Sequence, residues 1–270
     1  MLMDILVPAS IISGMGLVFG LGLAFASKKF EVKVDERIAA VREVLPGANC
    51  GACGQTGCDG FAEAVVKGIC KANGCPVGGN AVAKKIGEIL GVDAGEVKPM
   101  VARVMCAGTH DKCKEKFSYS GIIDCTAAAS LFGGPLSCTH GCLGLGTCVK
   151  ACAFGAISIE NGVAIVDASK CTACTKCVAA CPKHIIDIVP LSAQYAVRCS
   201  SLDKGAVVRK ICDVGCIGCT RCVKACPRNA ITMNGTLAKI NPEMCDNCGA
   251  CIKVCPSGSI NWYACVKEES

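Results

Sequence analysis

Aromatic residues are scarce: one Trp, three Tyr and seven Phe in 270 residues, 4% of the chain. That is too little bulk to fill a large ordinary core. Histidine is as rare as Tyr, with three copies. No Gly-x-Gly-x-x-Gly follows a strand-like run, no phosphate-binding P-loop is present, and no nucleophile is paired with a base. Dinucleotide, nucleotide and nucleophilic chemistry therefore have no visible carrier. Charge is absent altogether from Ile5 to Ser27. The chain opens MLMD, without the Lys or Arg that begins a secretory signal.

What is abundant is cysteine, with 27 copies. Disulfide scaffolds are short and secreted, whereas this chain is long and its cysteines come in tight Cys-x-x-Cys runs, so metal centres are the expected use. Such centres serve as the cores of small lobes, and folding is then coupled to metal binding. The formal charge of +6 counts every Cys as neutral. A four-iron cluster with four thiolates adds roughly −2, so about six of them would turn the sign of the chain. Lys and Arg then read as counter-charges to buried anions, and a nucleic-acid partner is not expected.

The uncharged stretch ILVPASIISGMGLVFGLGLAFAS is long enough for one membrane-spanning helix. Lys28, Lys29 and Lys33 follow it, which predicts that everything after Lys28 is cytoplasmic and the protein a single-pass protein of the cell membrane. Gly16 and Gly20, with Gly14 and Gly22, either let this helix pack against others or reflect the ordinary frequency of Gly in such segments. One helix without acidic residues builds no ion path alone.

Beyond the anchor, residues 34–45 have a helical apolar period. Cys50, Cys53 and Cys58 sit on a glycine-rich loop. The run DGFAEAVVKGICKANG reads as a helix ending at Asn73-Gly74, and it leads to Cys75. These four cysteines are candidate ligands of one centre, with Cys70 expected as a small buried residue. Residues 80–91 read as another helix and 92–103 as a connector.

From residue 138 the chain repeats. Cys171, Cys174, Cys177, Cys181-Pro182, then Cys216, Cys219, Cys222, Cys226-Pro227, then Cys245, Cys248, Cys251, Cys255-Pro256 each match the bacterial ferredoxin pattern. Zinc ribbons space their pairs more widely. A fourth run, Cys138, Cys142, Cys148, Cys152-Ala153, is imperfect, with Leu145 where alignment demands a cysteine. Hairpin signals, AISIENGVAIV and AITMNGTLAKI, follow the imperfect run and the Cys216–Cys226 run, with Asn161-Gly162 and Asn234-Gly235 at the turns.

In such lobes the fourth Cys of each run serves the other run's cluster. The expected sets are Cys216, Cys219, Cys222 with Cys255; Cys245, Cys248, Cys251 with Cys226; and Cys171, Cys174, Cys177 with Cys152. The remaining one is Cys142, Cys148 and Cys181 with a stand-in for Leu145, for which Cys138 is the nearest candidate. Cys106, Cys125, Cys199 and Cys212 are the expected set of a sixth [4Fe-4S] cluster or else plain buried thiols, and Cys138 could trade places with one of them. His140, between Cys138 and Cys142, is expected to be solvated.

The fold expected is α+β: an anchor (1–29), a small helical cluster domain and connector (30–103), and a cysteine-containing insert (104–137). A βαβ-like two-cluster ferredoxin lobe (138–190), an inter-lobe insert (191–211) and a second such lobe (212–270) complete it. The segments NCGACGQTGCDGFAEAV with Cys75-Pro76, VARVMCAGT, YSGIIDCTAAASLFGG and CTHGCLGLGTCVKACAFGAI, together with the glycine-rich apolar N-terminus, resemble the RnfB family in its longer, cluster-rich form. These are iron–sulfur subunits of Rnf-type ion-translocating ferredoxin:NAD+ oxidoreductases. The resemblance implies an electron carrier that takes electrons from soluble ferredoxin and passes them to the other Rnf membrane subunits, where flavin, nicotinamide and Na+ or H+ are handled. The competing readings are a relay subunit of a molybdopterin-type oxidoreductase, which lacks the CGACG segment, and a structural zinc protein.

Overall fold

The structure, a computed structural model, describes residues 2–29 and 35–262. Lys33 and Cys265 lie outside the described residues. Helix α1 (Leu2–Lys29) closes on Lys28 and Lys29, whose charge complements the carbonyl end of its dipole. Its side chains are described from Ser13 onward. Leu17, Val18, Phe19, Leu23 and Phe25 among them are exposed. Among the described residues no helix is long and apolar enough to cross a membrane. The span expected over Ile5–Ser27 is thus not carried by them, and the side chains of its first half lie outside the described ones.

Three helices build the next unit. Helix α2 (Glu36–Val44) starts at Asp35, whose carboxylate accepts from the Arg37 amide. Helix α3 (Cys58–Val66) and helix α4 (Gly79–Leu90) both pack on α2 around Val41, Phe61, Val65 and Ile86. The helix expected to continue to Asn73-Gly74 stops at Val66. Gly68 adopts φ +73°, and the Ile69 amide turns back to the Ala64 carbonyl, a left-handed helix stop. Cys70 therefore lies past the helix, where its sulfur accepts from Gln55 Nε2 at 3.4 Å.

The remaining chain folds as two similar lobes. In the first, β1 (Met100–Val104) pairs with β4 (Ile186–Pro190), and β2 (Ile157–Glu160) forms a hairpin with β3 (Val163–Val166). Helices α5 (Cys125–Ser130), α6 (Thr147–Ala151) and α7 (Lys176–Ala180) complete it. In the second, β5 (Tyr195–Val197) pairs with β8 (Ile260–Trp262), and β6 (Ile231–Asn234) with β7 (Leu237–Ile240). Helices α8 (Gly205–Ile211), α9 (Arg221–Ala225) and α10 (Ala250–Val254) belong to this half.

Every described strand pair is antiparallel, so the expected βαβ-like repeats are replaced by antiparallel pairs. Each lobe also recruits a strand from upstream of its first cysteine run. β1 comes from the expected connector and β5 from the expected inter-lobe insert, because the last strand of each lobe needs a partner to satisfy its backbone. The Asn161-Gly162 turn forms as the sequence predicts, with both φ positive. In the second hairpin Asn234 pairs with Leu237, and Gly235-Thr236 form the loop, with only Gly235 at positive φ. Gly at the first loop position is the II′ pattern.

Candidate metal centres

Three small hollows are each walled by four cysteines: Cys50, Cys53, Cys58 and Cys75; Cys152, Cys171, Cys174 and Cys177; and Cys216, Cys219, Cys222 and Cys255. In the first, Asn49 Oδ1 accepts the Cys58 amide at 2.8 Å, and Gly57 at φ +139° lies so close that a Cβ there would meet that oxygen. Loop and helix start are thereby locked together.

In both lobes one cysteine reaches across from the other run. The sulfurs of Cys152 and Cys226 accept the amides of Ala156 and Ala230 at 3.4 and 3.3 Å. Each of the four short helices α6, α7, α9 and α10 is preceded by a left-handed residue, at Gly146, Thr175, Thr220 and Gly249. That residue turns the chain so that the third cysteine of each run enters the helix facing inward; Cys148, Cys177, Cys222 and Cys251 are all buried. Burial raises the Cys251 thiol to about 11, and neighbouring Cys245, Cys222 and Cys248 add to the rise. Cys226 packs against the same core.

Cys125, from the insert, lies beside the imperfect run. Burial pushes the Cys148 thiol up to about 12, and the adjacent Cys142, Cys125, Cys181 and Cys177 contribute. Cys142 is raised by burial and likewise feels Cys125 and Cys181. The structure therefore brings Cys125, not Cys138, beside Cys142, Cys148 and Cys181. Asp124 caps α5 through the Thr126 and Ala127 amides. Its second oxygen accepts from Thr147 Oγ1 at 2.8 Å, and that Oγ1 accepts the Cys125 amide at 2.7 Å. One hydroxyl thus ties the start of α5 to the start of α6. The sequence reading puts Cys125 in the sixth set, because spacing holds no sign of this long-range tie.

Cys138 faces the other way, toward Cys199 and Cys212. Between the lobes a cavity is lined by Cys106, Cys113, Cys138, Cys199 and Cys212. Gly108 and Gly141 floor it, and a Cβ at either would sit 3.4–3.7 Å from the sulfurs of Cys212, Cys106 and Cys138. Four of the five cysteines share a local turn. Cys106, Cys138, Cys199 and Cys212 each receive the amide two residues on, from Gly108, His140, Ser201 and Val214. Cys113 instead receives the Cys138 amide and shares a hydrogen bond with Cys212, which raises Cys212 and lowers Cys113. Burial pushes Cys106 up to about 12. His140 is half-buried, with Nε2 3.9 Å from Asp203 Oδ2.

The fit to four-iron clusters is good: small sulfur-walled cavities, buried thiols and amides aimed at sulfur, which favour the thiolate. Among the described residues no three His, Cys, Asp or Glu converge closely enough to hold a single ion. A cuboidal cluster asks for no such convergence, since each iron takes its own thiolate, whereas structural zinc draws four sulfurs together.

Comparison with known proteins agrees. A family described as a putative Fe-S cluster matches residues 45–77, a 4Fe-4S binding domain matches 164–187, and a 4Fe-4S dicluster domain matches 215–259. The B subunit of the sodium-translocating ferredoxin:NAD+ oxidoreductase complex of Acetobacterium woodii is 48% identical, across 89% of this chain and 73% of its own length. The proton-translocating counterpart from Clostridium ljungdahlii is 44% identical, across 84% and 81%. The B subunit of an ion-translocating oxidoreductase complex of Methanosarcina acetivorans is 43% identical, across 87% and 89%. The chain belongs to the RnfB family, the B subunits of the ion-translocating oxidoreductase complexes. Its iron–sulfur motifs occupy both lobes and the N-terminal unit. The RnfB likeness extends well beyond those motifs, since the A. woodii alignment spans 242 residues.

Proposed function

We propose that this chain is the electron relay of an Rnf-type complex. It takes electrons from reduced ferredoxin and delivers them toward the membrane subunits, with Na+ or H+ translocation and NAD+ reduction carried out elsewhere in the assembly. The observation that carries this reading is that five of the six thiol sets, all but the N-terminal one, stand as neighbours in series. Cys177 neighbours Cys148. The Cys142 amide donates to Cys106 sulfur at 3.4 Å. Cys199 neighbours Cys216, and Cys222 neighbours Cys251. Four-iron clusters held by these sets supply one-electron redox chemistry.

Six ligand sets follow. The N-terminal set is Cys50, Cys53, Cys58 and Cys75. The first lobe holds Cys152, Cys171, Cys174, Cys177, and Cys125, Cys142, Cys148, Cys181. The central set is Cys106, Cys138, Cys199 and Cys212. The second lobe holds Cys216, Cys219, Cys222, Cys255, and Cys226, Cys245, Cys248, Cys251. On this reading the apolar N-terminal segment holds the chain at the membrane subunits, with the lobes on the cytoplasmic side.

Anaerobic iron and sulfide counts with EPR titration test this. About 24 Fe per chain are expected, and Cys125→Ala should remove about four of them together with the signal of the Cys142 set. A plateau near about 20 Fe in fully reconstituted protein would delete the central centre. Failure of reduced ferredoxin to reduce the loaded protein would reject the relay.

A further inference from the structure

The cysteines are shielded almost everywhere: among the described ones only Cys219 and Cys248 are exposed. Their surroundings differ in charge. Beside Cys248, Asp246 pairs with Arg228 at 3.7 Å, and exposed Glu243 offsets exposed Lys253. Beside Cys219 the balance is one-sided. Helix α8 packs on the loop that carries Cys219, so closely that a Cβ at Gly205 would collide with the Ile217 carbonyl, while Val208 seats against Gly215. Thr236 Oγ1 donates to the Leu202 carbonyl at 2.8 Å and holds the start of this segment to the β6–β7 turn.

The outer side of the same segment exposes Lys204, Arg209 and Lys210, and α9 adds exposed Arg221 and Lys224 directly after Cys219. None of the five forms an ion pair with a carboxylate among the described residues. Asp213, just past α8, and Asp203, whose side chain is 37% exposed beside His140, are the negative charges on this stretch, against five exposed cations. Leu202 and Val207 are 55% and 46% exposed within it. Exposed apolar side chains on a segment with an excess of cations outside any such ion pair are the composition of an interface for an acidic partner.

We propose that the α8–α9 surface around Cys219 is the docking site for a small acidic electron-transfer protein. On the relay reading given above, on which this rests, that partner is reduced ferredoxin. The unpaired cations steer it in, Leu202 and Val207 form the contact, and Cys219 gives the shortest path from the surface to a ligand set. The charges also have an alternative use, as counter-ions to the buried clusters, and the two uses separate by experiment.

The test is Lys204→Glu with Arg209→Glu and Lys210→Glu in the full cluster-loaded chain. Iron content, EPR spectra and reduction by dithionite should match the unaltered protein. The second-order rate of reduction by an acidic two-cluster ferredoxin at low salt should fall about tenfold or more, and its salt dependence should flatten. An unchanged rate and salt profile would overturn the proposal. So would altered EPR spectra or iron loss that the neutral triple variant, Lys→Gln and Arg→Gln at the same positions, reproduces, since the cations then serve the clusters. Loss of assembly with the membrane subunits at an unchanged ferredoxin rate would give the surface to the complex instead. If unaltered protein is itself not reduced by ferredoxin, the relay reading falls, and that result is distinct from all of these.

Discussion

At the scale of single residues, the chemistry of this chain is set by which sulfurs meet backbone amides. Thiols buried among other thiols hold their protons far above neutrality, with Cys106 and Cys148 raised to about 12. Iron has to displace those protons, and the amides aimed at sulfur reduce the cost of the resulting thiolate. The central cavity has five cysteines, one more than a four-iron centre uses. Cys113 lacks the turn that aims the i+2 amide at sulfur, and its own sulfur leans on Cys212 and the Lys114 carbonyl. Cys113→Ala should therefore keep its full iron complement, while Cys138→Ala should lose about four Fe per chain. Iron analysis checks both, and loss of iron from Cys113→Ala would exchange the roles of the two residues.

Among the elements, short pieces do the positioning. Helix α5 spans only Cys125–Ser130, too short to be stable by propensity. It stands because Asp124 caps it and Thr147 joins it to α6. Asp124→Ala removes a cap worth about 1 kcal/mol and the acceptor of the Thr147 hydroxyl. Iron bound by the Cys142 set should become labile to chelator, whereas Asp124→Asn should restore most of the retention. Timed iron release to a chelator, followed by EPR of each set, measures this. Equal release from all sets in the Ala variant would show that α5 has no special part in holding Cys125.

Taken whole, the described molecule has two kinds of core. The N-terminal unit packs ordinary side chains, Val41, Phe61, Val65 and Ile86, beside its cysteines. Each lobe instead surrounds its sulfur sets with a thin layer of Ile, Val and Ala. Removing iron should thus hit the lobes hardest, since the volume and bonds at their centres go with it. A chain beginning at Lys28 is expected to stay in solution and retain its iron, because all of the ligand sets lie beyond it. Stripping that chain with chelator should abolish the strand signal in circular dichroism while leaving most of the signal from α2, α3 and α4. Membrane association of the Lys28 chain would remove the anchoring role from the apolar N-terminal segment, and strands that survive iron removal would contradict the metal-centred cores.

The sequence alone determined the chemistry. Three complete Cys-x2-Cys-x2-Cys-x3-Cys-Pro runs and the Cys50–Cys75 segment are local patterns. The cysteines within each run lie on one loop and the helix it enters, so spacing suffices to bring them out as candidate ligands. The turn at Asn161-Gly162 and helices α2 and α4 were legible for the same reason, since caps and apolar period are properties of neighbours. What only the tertiary structure decided is everything that depends on distant segments meeting. Cys125 lies 20 residues before Leu145, yet a Thr147 hydroxyl ties it beside the imperfect run. Cys106 and Cys138 meet Cys199 and Cys212 only because the two lobes abut. Strands β1 and β5 read as linkers in the sequence because their partners lie far along the chain. A ligand set assembled across such distances leaves no periodic trace in sequence, because its geometry is fixed by packing between elements and not by the spacing within any one of them.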